Sequence, residues 1–182
     1  MFAVTDRLLL RPGWPEDAPA LAAAIGHWPV ARNLARLPWP YGVDDARNFL
    51  AAEREAPDIS CVVLRRGGAR PTLIGGVGLH PDASGALELG YWLTPAAWGR
   101  GYATEAAGAL VAAARDSLGL DRLVSGHFED NPGSGRVLAK LGFRVVGRAP
   151  RHCLAEGAAR PAIDLALDLR ADMRARPEVL AA

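Results

Sequence analysis

The residues from Glu88 to Glu105, ELGYWLTPAAWGRGYATE, hold the strongest chemical signal in the chain. An alternating strand pattern stops at Thr94-Pro95, a turn follows at Gly99-Arg100-Gly101, and an amphipathic helix opens near Tyr102. A helix start leaves backbone N–H groups without partners, and the helix dipole makes the same place favourable for negative charge. The chemistry this suits is the holding of a phosphate or pyrophosphate, and so of a phosphorylated cofactor. The turn is not a Walker A loop, which needs Gly-x-x-x-x-Gly-Lys-Ser/Thr. Nor is it a dinucleotide fingerprint, because Thr104 stands where the third glycine belongs. Gly-x-Gly alone reads equally well as a tight strand-to-helix turn without a ligand.

A second constellation lies downstream, Asn131-Pro132-Gly133-Ser134 followed by Val137-Leu138-Ala139-Lys140-Leu141-Gly142-Phe143. Asn131 suits a helix N-cap with Pro132 in the first turn, and Gly142 suits the stop. Asn131 and Ser134, each taken singly, read as capping and turn chemistry.

The elements that must position these residues follow from periodicity. Ala103, Ala106, Ala107, Leu110, Val111 and Ala114 recur at i, i+3, i+4, i+7, i+8 and i+11, one apolar face of a helix that Gly119 can end. Strand patterns cover about 5–11, 59–65, 72–80, 87–94, 122–128, 143–153 and 163–169. The second and third form a hairpin through Arg66-Gly67-Gly68, and the last two a hairpin across Glu156-Gly157. Helical regions are expected at about 15–25 and 43–55, joined by a proline- and aromatic-rich link from His27 to Tyr41. Residues 175–182 read as a loose tail on a single domain spanning 1–182.

The chain has 182 residues, half of them hydrophobic, enough for one domain with a substantial core. No run approaches the roughly 18 apolar residues of a membrane span, and no signal-peptide pattern opens the chain, so a cytoplasmic protein without membrane attachment is expected. A net charge of +1 gives no general affinity for nucleic acid. Cys61 and Cys153 lack metal-like spacing, Cys61 lies in an apolar strand as a buried thiol, and no metal is expected. Of 21 basic residues, all but Lys140 are arginine.

Taken together these motifs resemble the GCN5-related N-acetyltransferases, and within them the branch named for ribosomal-protein-alanine N-acetyltransferases. Thr5-Asp6-Arg7-Leu8-Leu9-Leu10-Arg11 is similar to that branch's first strand. Leu37-Pro38-Trp39-Pro40-Tyr41, with Asp44-Asp45-Ala46 and Phe49-Leu50, resembles its second helix and the preceding loop. Gly90-Tyr91-Trp92-Leu93 through Glu105 resembles its acetyl-CoA signature, and Asn131-x-x-Ser134 through Leu141-Gly142-Phe143 its last helix motif. The superfamily's loop often opens on Gln or Arg; here Trp98 holds that place, as it often does in this branch.

The resemblance implies an α/β fold of the α+β type. It has a mixed, mostly antiparallel sheet of about seven strands with flanking helices, and its fourth and fifth strands are parallel and splayed. Acetyl-CoA would be the cosubstrate, with no metal. Its pantetheine arm would pair with backbone near Leu93 and Thr94, and its pyrophosphate would meet amides of Trp98, Gly99, Arg100, Gly101, Tyr102, Ala103 and Thr104. Asn131 would bond the pantetheine side, and Ser134 would sit near the sulfur as the acid for the leaving thiolate. Glu88 is the first candidate for the base and His127 the second. Strand alternation puts Glu88, Gly90 and Trp92 on one face.

The resemblance implies a primary-amine acceptor, either the N-terminal α-amine of a protein or peptide or a small molecule such as an amino acid or antibiotic. Near pH 7.5 about a third of an α-amine is neutral against about a thousandth of a lysine amine, so a site without an obvious strong base matches an α-amine. A wide acidic groove would favour basic peptides; a closed aromatic pocket of Trp28, Trp39 and Tyr41 would favour a small acceptor. A homodimer through the last hairpin stays open, as does a non-catalytic acyl-CoA-binding protein.

Overall fold

A computed structural model describes residues 1–53, 55–82 and 84–170. The expected tail at 175–182 lies outside them. The strands are β1 (Ala3–Val4), β2 (Leu8–Arg11), β3 (Ile59–Arg65), β4 (Thr72–Pro81), β5 (Leu87–Leu93), β6 (Arg122–Phe128), β7 (Arg144–Cys153) and β8 (Ala158–Asp168). The helices are α1 (Ala18–Ile25), α2 (Trp28–Ala31), α3 (Val43–Ala51), α4 (Tyr102–Asp116) and α5 (Pro132–Lys140).

One eight-stranded sheet runs β1-β2-β3-β4-β5-β6-β8-β7. Every neighbouring pair is antiparallel except β5 and β6, which run parallel. The count corrects the expected seven. The first expected strand, 5–11, is shorter and an additional strand precedes it: Thr5 N–H donates to Leu8 O at 3.0 Å and folds residues 5–7 into a turn, so that Ala3 and Val4 pair back on Leu10 and Leu9. Two residues are too few to show an alternation. The His27–Tyr41 link also holds a short helix, α2, with a proline in its first turn, where the missing N–H costs nothing. The last strand starts earlier than its apolar run, at Ala158, because Gly157 at φ +65° reverses the chain directly into the hairpin.

Strand alternation assigns the two faces. Leu89 and Leu93 join Leu8, Leu10, Leu79 and Leu123 under Ala106, Ala107, Leu110 and Ala114 of α4. Trp92, one residue out of phase, packs instead with Ala18, Leu21 and Ala46 of α1 and α3. The alanine face of α4 lets its backbone lie close to the sheet. Leu110, with no exposure, contributes about 1.5–3 kcal/mol of burial at its centre. Cys61 is buried at 3% exposure, and that burial pushes its thiol pKa up.

Candidate active site

The strand-to-helix turn is built by two glycines with left-handed backbone, Gly99 at φ +72° and Gly101 at φ +79°. Gly101 is the residue that caps α4, and no side chain caps the helix there. Among the described residues, none accepts from the backbone N–H groups of Gly99, Arg100, Gly101, Tyr102, Ala103 or Thr104. These amides converge at the positive end of a 15-residue helix, the arrangement that suits an anion.

The turn is held from outside. Arg7 donates through Nη1 to Arg100 O at 2.9 Å and through Nε to Glu105 at 2.7 Å, and its guanidinium stacks 4.6 Å from the Tyr102 ring centroid. Thr5 Oγ1 at 2.6 Å and Arg7 N–H at 2.9 Å also donate to Glu105. Burial pulls the Glu105 pKa up, but these donors from Thr5 and Arg7 outweigh it and hold the carboxyl below its ordinary 4.5. Glu105 therefore stays ionised, satisfied by the β1–β2 turn rather than by the amides it neighbours.

Next to the turn, β5 and β6 part. Their pairing carries a single registered pair, Glu88 with Val124, and Ser125 Oγ donates to Leu89 O at 2.8 Å just beyond it. Thr94 N–H donates to Ile74 O at 2.8 Å, so ladder alternation turns the N–H and C=O of Tyr91 and Leu93 away from β4, into the gap. The Leu93 carbonyl accepts from the Trp98 indole at 2.8 Å. The gap opens into a cleft of about 1140 Å³ that reaches from the glycine turn to the face under α1 and α3.

On the α5 side, Asn131 caps the helix as its residue type suggests: Oδ1 accepts from Ser134 N–H at 3.3 Å. The Asn131 amide nitrogen has no hydrogen-bond partner among the described residues, and the side chain lines the cleft. Ser134 Oγ lies 2.8 Å from Tyr91 Oη, and Tyr91 can also donate to Ser134 O at 3.1 Å. His127 Nδ1 lies 2.8 Å from Phe128 O. A carbonyl only accepts, so Nδ1 carries the proton and neutral His127 keeps its lone pair on Nε2, packed against Gly135 in the cleft wall.

On the opposite face Glu88 is not the surface carboxylate that its position on an alternating strand allows. Its side chain is 17% exposed and accepts from Arg151 Nη1 and, at 3.4 Å, from Arg36. Arg151 bonds Asp164 as well, at 2.8 Å. Burial lowers the Arg151 pKa, but Glu88 and Asp164 overcome it and raise it, which fixes the positive charge. The guanidinium crosses β6 only because residue 126 is glycine: a Cβ there would lie 2.6 Å from the Arg151 Cζ.

The sequence gives Thr5, Arg7, Tyr91 and Arg151 no role in the site, because their partners there, Glu105, Ser134 and Glu88, lie 43 to 100 residues away. The aromatics divide. Trp28 and Trp39 pack edge to face on each other, 5.5 Å between centroids and each 40% exposed, and neither lines the cleft. Tyr41 does line it, its hydroxyl pushed up to about 12 by burial and then by Asp45.

A mixed sheet that opens between two parallel strands, with a glycine-turned helix start at the mouth, defines an acyltransferase fold of the acetyltransferase type. Residues 7–144 match the acetyltransferase (GNAT) domain family, and the chain belongs to it: it is an N-acetyltransferase. The protein called uncharacterized N-acetyltransferase YoaA, from Bacillus subtilis (strain 168), is 32% identical over 156 residues, 81% of this chain and 86% of its own length. Among solved structures, an acetyltransferase (GNAT family) from Bacillus anthracis superposes with a TM-score of 0.80, at 23% identity over 93% of this chain and 99% of that one. RimL, a ribosomal L7/L12 alpha-N-protein acetyltransferase solved in complex with coenzyme A, gives a TM-score of 0.77. It matches at 17% identity over 92% of this chain and 98% of its own.

Proposed function

We propose that the protein transfers acetyl from acetyl-CoA to the N-terminal α-amine of a protein or peptide. The observation that carries the acceptor class is the state of Glu88. Both Glu88 carboxylate oxygens are already engaged, one accepting from Arg151 and the other from Arg36 at 3.4 Å, so neither is turned to an incoming amine. An acceptor that brings much of its amine neutral fits such a site: an α-amine, with a pKa near 7.7–8.0, does, and a lysine, near 10.4, does not. RimL, which shares the fold, is named for α-N-protein acetylation.

In this reading the cofactor pyrophosphate lies on the amides of residues 99–104, and Arg136 and Lys140 on the cleft wall add positive charge for its other phosphate. The pantetheine arm enters the β5–β6 gap as an added strand, with Leu93 N–H and the Asn131 amide as its donors. The Tyr91 N–H faces the oxyanion. The amine enters the cleft beside the β5–β6 gap, its nitrogen lone pair attacks the thioester carbon, and the C–S pair leaves on sulfur. His127 Nε2 takes the proton the amine gives up, and Ser134 Oγ–H meets the sulfur.

The test is release of coenzyme A thiol from acetyl-CoA with a panel of peptides of different N-termini beside a panel of small amines. Turnover on free peptide N-termini, well above that on any small amine, is expected. Turnover confined to small amines would move the acceptor to that class, and none with any amine would leave an acyl-CoA-binding protein.

A further inference from the structure

The Tyr91 hydroxyl stands in the gap beside Ser134 and exchanges no proton with the reactants. Tyr91 sits on β5 with its ring among the residues under α4, and its hydroxyl reaches across the gap to α5. Two acceptors compete for its one proton, Ser134 Oγ at 2.8 Å and Ser134 O at 3.1 Å. Both arrangements use the same heavy-atom positions, so a rotation of hydroxyl hydrogens exchanges them.

They differ in what they leave Ser134. When Tyr91 donates to the carbonyl, its oxygen is open to the Ser134 proton, which then turns inward and is spent on Tyr91. When Tyr91 donates to Ser134 Oγ, the serine proton has no place on tyrosine and points into the gap. Burial, opposed in part by the Ser134 hydrogen bond, pushes the Tyr91 pKa up to about 12, so the tyrosine keeps its proton to donate throughout the neutral range.

We propose that Tyr91 is a positioning residue for acetyl transfer: by donating to Ser134 Oγ it turns the serine proton toward the departing sulfur. The inference rests on the acid role of Ser134. As the C–N bond forms and the C–S bond breaks, the electron pair goes to sulfur and the Ser134 proton moves onto it. Negative charge growing on Oγ is met by the Tyr91 O–H, because hydrogen bonds in a chain polarise one another. Tyr91 retains its own proton. The proton lost by the amine passes through His127 to solvent, and Ser134 regains one from solvent after the products leave. The link also spans the gap, from the strand that carries the oxyanion donor to the helix that carries the acid.

The experiment is a double-mutant cycle of Tyr91→Phe and Ser134→Ala. It is read as kcat with a working amine acceptor and, separately, as acetyl-CoA Kd. Tyr91→Phe keeps the buried ring and is expected to lower kcat about 10- to 100-fold, the range for a hydrogen bond to a charge-bearing group, with Kd unchanged within about twofold. Added to Ser134→Ala, it should cost nothing more. A third background, Ser134→Cys, has a thiol acidic enough to act without help, and Tyr91→Phe should be near neutral there. This arm also separates loss of positioning from loss of packing, which would slow all three backgrounds alike. An equal, multiplicative loss in every background would overturn the inference, as would a Tyr91→Phe enzyme with wild-type kcat beside a slow Ser134→Ala. If Ser134→Ala itself turns over normally, the acid role fails first and the positioning role with it.

Discussion

Replacing Gly101 by alanine tests the glycine turn quantitatively. Gly101 sits at φ +79°, ψ 0°, a left-handed conformation that costs an L-residue about 1–2 kcal/mol. Space is not the obstacle: a Cβ at residue 101 meets only the Arg7 Nη2 atom, at 3.4 Å, the end of a long side chain. The whole effect is therefore backbone strain, and its total is fixed. If the packed fold holds the turn in place, the free protein bears the strain and its Tm falls by about 2–8 °C. If the free turn relaxes instead, its amides rotate out of register and cofactor binding must restore them, so the acetyl-CoA Kd rises by about 5- to 30-fold. The turn protrudes into solvent at Gly99, Arg100 and Gly101, so relaxation and the Kd route are expected to dominate. Gly157, at φ +65° in the β7–β8 turn with nothing near its would-be Cβ, is the control: Gly157→Ala bears the same strain away from the cleft. The assay is calorimetric Kd for acetyl-CoA and Tm of the free protein, on both variants. Equal Tm losses in the two with acetyl-CoA binding untouched in both would refute the relaxation of the free turn and show it held in place by the fold.

Three further outcomes follow from the site. Glu105→Gln removes the anchor between the turn and β2 and should cost roughly 1–2 kcal/mol of stability at neutral pH. Because the folded pKa of Glu105 is lowered, its contribution is complete above its ordinary 4.5 and is lost as pH falls through the lower folded value; melting curves of both proteins should converge at the acid end, and a gap that persists there would deny the ionised anchor. His127→Gln should lower kcat about 10- to 100-fold with little change in Tm, whereas Glu88→Gln should chiefly lower Tm by leaving Arg151 half-paired; steady-state kinetics and melting that give the reverse would return the base role to Glu88. Lys140, the chain's one lysine, sits in the last turn of α5 with its charge favoured by the helix end, so peptide mapping after long incubation with acetyl-CoA should find it modified slowly; rapid labelling would count against the α-amine preference.

The parts legible in the sequence are those that local spacing encodes. The α4 stripe was readable because its small residues repeat at helical period, and the turn because two glycines flank an arginine just before it. Asn131 was readable as a cap because its residue type and Pro132 suffice. The Ala3–Val4 strand was not, since two residues carry no period. Nor were the contacts that define the site's chemistry. Glu105 finds Thr5 and Arg7 only after β2 is laid beside α4, and Tyr91 finds Ser134 only after β5 and β6 part. Arg151 reaches Glu88 only because residue 126 has no side chain in the way. Each depends on which strands become neighbours, and the sheet order alone decides that.

One pair of peptides separates transfer of acetyl to an α-amine from transfer to a lysine. Both share a sequence with a single lysine; one has a free N-terminus and a dimethylated lysine, the other a blocked N-terminus and a free lysine. Each is incubated with the protein and acetyl-CoA, and the products are read by intact mass against enzyme-free controls. Acetylation of the free N-terminus, with the blocked peptide unchanged, is the predicted result. Acetylation of the lysine peptide at an equal or greater rate would contradict it.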